Sequence, residues 1–151
     1  MSTPTDPNAV QVNIDQRMRS VRILWFAMLA SIAMYYLFTI FSGRPDTVQP
    51  NSTLSLALLA VGMFAVVASV PIKSKLVNQA IEQRQVQHVQ QGYIAAWAIC
   101  ELAALLALLD FFLTNDPYFW VLFIIAASGD LIHYPRREHF LSAAVTPPIN
   151  L

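Results

Sequence analysis

Residues Tyr93 to Leu113 form an apolar run of 21, interrupted by a carboxylate at Glu101, near the middle. A helix rises about 1.5 Å per residue, so this run matches the roughly 30 Å hydrocarbon core of a bilayer. No other feature constrains the fold as strongly. An ionised group at mid-depth costs several kcal/mol, so Glu101 is expected to face protein, and depth favours its neutral acid form. Ala98 and Ala104, three residues to either side, suggest a small-residue seam through which a second helix approaches. Asp110 follows nine residues later, about 180° around the helix, near the end of the span where water is expected to reach it.

The rest of the chain repeats the pattern. Hydrophobic residues make up 56% of the 151 and charged residues only 12%, about half the usual soluble share. Apolar runs at 23–41, 54–72, 93–113 and 117–133 predict four spans within a single domain over 17–135. The fold class expected is an all-α integral membrane four-helix bundle, up-down-up-down. Gly43 and Pro45 end the first run. Asn51 caps the second; Asn51-Ser52-Thr53 also fits a glycosylation pattern, but it abuts the span. Pro71 predicts a kink rather than a stop, because the apolar stripe continues through Ile72, Leu76, Ala80 and Ile81. The stripe changes phase at Gln83–Gln85, which predicts a glutamine-rich helical hairpin outside the membrane. Its bland reading is a solvated face; its functional reading is a docking surface. Asp116-Pro117 predicts the start of the fourth helix. Residues 1–16 and 136–151 read as tails, the first for want of a helical apolar stripe.

Eight of the nine basic residues, all but Arg44, lie in the N-terminal segment, the central hairpin or the C-terminal tail. The positive-inside rule therefore predicts cytoplasmic termini and a cytoplasmic hairpin in a cell inner membrane. Trp25 and Tyr134 fall at the inner interface, Tyr118 and Trp120 at the outer one.

The candidate ion-binding residue is Glu101. Ser31 lies at similar depth on the first helix, with Tyr35 and Tyr36 about a turn further out, and these are its candidate partners. Asp110 and Asp130 are secondary acidic candidates. Asp130 is expected to pair with His133 or an arginine one turn away. His88, His133 and His139 all fall at or outside the inner interface as solvated residues, which gives no support to haem ligation. Cys100 stands alone, so there is no internal disulfide and no cysteine metal cluster. No phosphate loop, zinc spacing or nucleophile elbow occurs, and no catalytic residue, metal or cofactor is expected. Zero formal net charge argues against nucleic acid as a partner. The expected partners are the lipid bilayer and a membrane complex or further copies of the chain.

Residues 54–113 contain a polar loop with Arg84-Gln85, the acidic Glu101, then Ala107-Leu108 and Phe112-Leu113. This arrangement resembles the carboxylate hairpin of the proteolipid family, subunit c of rotary ATP synthases and ATPases. The resemblance implies an ion-binding role for Glu101. The chain also resembles small four-span bacterial membrane proteins of unassigned function that end in a Pro-Arg-Arg segment, here Pro135-Arg136-Arg137. Rotor proteolipids pack through repeated glycines, whereas the second run here has only Gly62, beside bulky Met63 and Phe64. A shared hairpin without rotor function is the expectation, and an accessory or structural role precedes proton or cation translocation through Glu101.

Overall fold

The structure, a computed structural model, describes residues 7–43 and 50–144. Among them it is all-helical: α1 (Pro7–Ser42), α2 (Ser52–Glu82), α3 (Val86–Thr114), α4 (Trp120–Ile132) and α5 (Arg137–Ala144). Three helical segments, Ile14–Ser42, Ser52–Glu82 and Val86–Thr114, are long and apolar enough to cross a membrane. This is a multi-pass membrane protein. α4 has 13 residues and rises only about 20 Å.

The helix ends follow from local chemistry. Asn51 Oδ1 accepts the Leu54 amide at 3.1 Å, capping α2. At the other end, the Gln85 amide reaches Ala80 O and the Arg84 amide reaches Ile81 O. This is a Schellman turn, with Arg84 in the left-handed position at φ 55°. α3 starts directly afterwards, so the predicted hairpin and its turn are present. α2 runs unbroken through Pro71. Asp116 Oδ1 accepts the Tyr118 amide at 2.8 Å, but residues 117–119 form a turn and α4 begins at Trp120, three residues later than expected.

Two hydrophobic cores stack along the helices. One lies at mid-length and joins Ile32 of α1, Val66 of α2, the α3 residues Cys100, Ala103, Ala104 and Ala107, and Leu122, Phe123 and Ala126 of α4. The other lies at the basic end, where Ile14, Met18 and Val21 of α1 meet Val77, Val89, Tyr93, Trp97 and Phe140. This second core corrects both tail expectations. α1 reaches back to Pro7, because Ile14, Met18 and Val21 form an i, i+4, i+7 stripe that finds a partner. Residues 137–144 are helical, with Phe140 and Ala143 buried against the same cluster. Residues 1–6 and 145–151, including Pro147 and Pro148, lie outside the described residues.

The helices do not form a square. α3 and α4 pack against each other and each approaches both α1 and α2, whereas among the described residues the backbones of α1 and α2 nowhere come within 8 Å Cα to Cα and the two helices join only through side chains of the shared cores. The close approach of α3 to its neighbours depends on small residues. A Cβ on Gly129 would stand 2.6 Å from Val66 Cγ1 and 2.9 Å from Cys100 Sγ. The seam thus runs along Ala96, Cys100, Ala103 and Ala107. Ala98, expected in it, is exposed, because α2 and α4 pack on the face one residue away.

Candidate functional site: polar groups among the apolar helices

Glu101 sits half-buried where α3 meets α1. Its Oε1 lies 2.7 Å from Ser31 Oγ and 3.0 Å from Tyr35 Oη. Ser31 Oγ also lies 2.8 Å from Met28 O, a carbonyl on its own helix. The structure therefore brings together Glu101 and two of its three candidate partners. Tyr36 is not among them: one residue on, it turns about 100° around α1 and packs edge-on against Phe123, ring centroids 5.6 Å apart.

Asp110 is not reached by water as expected. It is 2% exposed, and its carboxylate accepts Ser55 Oγ of α2 at 2.9 Å and Thr114 Oγ1 at 2.7 Å. Thr114 O in turn accepts the Asn51 amide at 2.9 Å. This cluster ties the start of α2 to the end of α3. It lies on the face of α3 away from Glu101, as the nine-residue spacing requires. Its bonds are those of a structural clamp.

The largest departure concerns Asp130 and His133. Both are 0% exposed. Asp130 does not pair with His133 or an arginine: neither carboxylate oxygen has a hydrogen-bond partner, and neither does His133 Nδ1. His133 Nε2 instead lies 2.7 Å from Ser69 Oγ of α2. The peptide groups beside them are held from two sides, with Trp25 Nε1 donating to Asp130 O at 2.9 Å and Trp97 Nε1 donating to His133 O at 3.2 Å. Trp25 also meets Tyr134 edge-on at 5.1 Å. The contact of Gly129 with Cys100 sets the α3–α4 register, placing Glu101 and Asp130 one residue beyond that touching pair on their respective helices. Polar groups thus extend from Glu101 at mid-depth through Asp130 to His133 at the basic end of α4.

Sequence reasoning missed Ser69, Trp25 and Trp97 as members of this site. A signal was available in the i, i+3 pair Asp130–His133, which lies on one helical face opposite the lone serine near the end of the second apolar run. His88 is exposed, as expected. His139 is half-buried and bonded rather than solvated: Tyr93 Oη accepts the Arg136 amide at 3.0 Å and lies 2.7 Å from His139 Nδ1. Lys73 Nζ stands 5.3 Å from the Tyr93 ring centroid. Burial, then the nearby charges of Lys73 and Arg136, hold His139 below its ordinary pKa of 6.5, against an opposing pull from Glu138. Among the described residues no group of three or more His, Cys, Asp or Glu side chains is placed to hold a metal ion. Comparison with family models, curated proteins and solved structures yields no match.

Proposed function

We propose that this chain is a four-span protein of a cell inner membrane, with both termini and the α2–α3 turn in the cytoplasm. Its role is structural or accessory: it packs against a membrane complex or against further copies of itself, and is neither an enzyme nor a rotor subunit. The observation that supports this best is the second core. α1, α2 and α3 are 36, 31 and 29 residues long, beyond the roughly 20 that a bilayer needs. Their excess, with α5, builds a folded platform at the end that carries eight of the nine basic residues. On this platform Gln79, Gln83, Gln85, Gln87 and Gln91 are exposed, a polar and nearly uncharged surface on a rigid support. α4 crosses with help from the turn at 117–119 and the segment that follows Ile132. Purification in mild detergent with mass spectrometry tests the role. The expected result is a companion complex or a small oligomer that Gln83→Glu with Gln87→Glu releases. A clean monomer across conditions overturns it. Cysteine labelling tests the topology: position 87 is expected to react only from the cytoplasmic side.

A second reading, proton or cation handling, is favoured by the unpartnered carboxylate of Asp130. Buried ionisable groups within spans are costly and commonly mark ion pathways. Here the polar groups extend from Glu101 toward one side only, while Asp110 at the other end is occupied by Ser55 and Thr114. This suits proton exchange with the cytoplasm better than passage through a single copy. Flux in proteoliposomes that Glu101→Gln and Asp130→Asn both abolish supports it; absence of flux in the unaltered protein rules it out.

A further inference from the structure

At the basic end, between α1 and α5, lies an open cavity of about 600 Å³ lined by Asp15, Arg19, Arg22, Ile23, Phe26 and Arg137, among others. Its α1 residues follow i, i+4, i+7, i+8 and i+11 spacing, so they lie on one helical face. That face changes character along its length: charge at Arg19 and Arg22, then exposed hydrocarbon at Ile23 and Phe26, which are 63% and 66% exposed. Arg137 closes one wall through an ion pair with Asp15 at 3.0 Å. Arg22 lies 6.0 Å from the Tyr134 ring centroid, and Tyr134 packs against Trp25, an aromatic pair suited to a membrane interface. Three arginines face one aspartate, so the cavity carries excess positive charge.

We propose that this cavity binds the phosphate headgroup of an anionic phospholipid, with Arg19 and Arg22 on the phosphate and the acyl chains along Ile23 and Phe26. The graded face singles out a lipid. A soluble phosphate would use the arginines but would leave two large apolar side chains exposed beneath it. Arginine suits the role because its planar fork meets phosphate oxygens in pairs. The proposal rests on placing this end of α1 at a membrane interface. It does not depend on the accessory role or on Glu101.

Native mass spectrometry of the full chain, released from detergent with added phosphatidylglycerol or phosphatidylcholine, tests it. Phosphatidylglycerol is expected to bind roughly tenfold or more tighter, as two basic side chains at an anionic surface imply. Arg19→Gln with Arg22→Gln should remove that preference, while Arg84→Gln at the hairpin turn should leave it intact. Asp15→Asn, which deletes the only acid among the described lining residues, should strengthen phosphatidylglycerol binding, giving a readout opposite in sign from a protein that retains both arginines. Equal binding of the two lipids, or an unchanged preference in the double variant, overturns the proposal. Displacement of the lipid by millimolar inorganic phosphate also overturns it and assigns the cavity to a soluble anion.

Discussion

The hydroxyl of Ser31 has one hydrogen and two acceptors in reach, Met28 O and Glu101 Oε1. That hydrogen is shared between the two, and Tyr35 Oη donates to the same carboxyl oxygen at 3.0 Å. Glutamine preserves the size and keeps an acceptor for Tyr35, so Glu101→Gln should melt within about 1 kcal/mol of the unaltered chain. Glu101→Leu removes a buried polar group but strands Tyr35, at a cost of about 1 kcal/mol or less. Detergent melting curves check both. His139 supplies a separate test. Its pKa is lowered on folding, so the folded chain favours the neutral ring. That contribution is fully present above about pH 6.5 and is lost as pH falls toward the folded value. The melting temperature should therefore drop between about pH 7 and pH 5, and His139→Gln should flatten the slope. An identical slope in the variant would assign the acid sensitivity elsewhere.

At the scale of elements, the features legible in the sequence were those with local causes. The three long spans follow from apolar length, the turn at Gln83–Gln85 from a change of stripe phase, and the α2 cap from Asn51. The losses have a common physical origin in contacts between distant segments. Ile14, Met18 and Val21 already formed a stripe, but its value depends on Phe140, more than a hundred residues away, to which it packs. Ala98 and Cys100 are equally plausible seam residues until the angle of α4 is known. The partners of Glu101 were legible because depth alone placed Ser31 and Tyr35 beside it, whereas the burial of Asp130 and His133 required Trp25, Ser69 and Trp97 from three helices. Helix crossing yields its own prediction. Gly129→Ala pushes a methyl against Val66 and Cys100 together and should cost about 1–3 kcal/mol. Gly62→Ala has the side chain of Leu122 as its nearest neighbour, a single flexible group that can shift, and should cost less. Equal losses in thermal melting would show that the α3–α4 contact is looser than described.

For the molecule as a whole, Gly62 is turned inward against Leu122, while Met63 and Phe64 of α2 are exposed, Phe64 at 74%. The glycine that would let copies approach closely is already used inside one chain. Many-membered rings are therefore not expected; native mass spectrometry should show one or a few copies, and a ring of many would overturn this. The wide spacing of the α1 and α2 backbones bears on biosynthesis. α1 is made first, yet the helices whose backbones it closely approaches are α3, α4 and α5, which are made later. Ser31 and Tyr35 find their interhelical partner, Glu101, on α3, and the indole of Trp25 finds its partner, Asp130 O, on α4. The hydrogen bonds of the earliest-made helix are thus completed only by partners from the later-made ones.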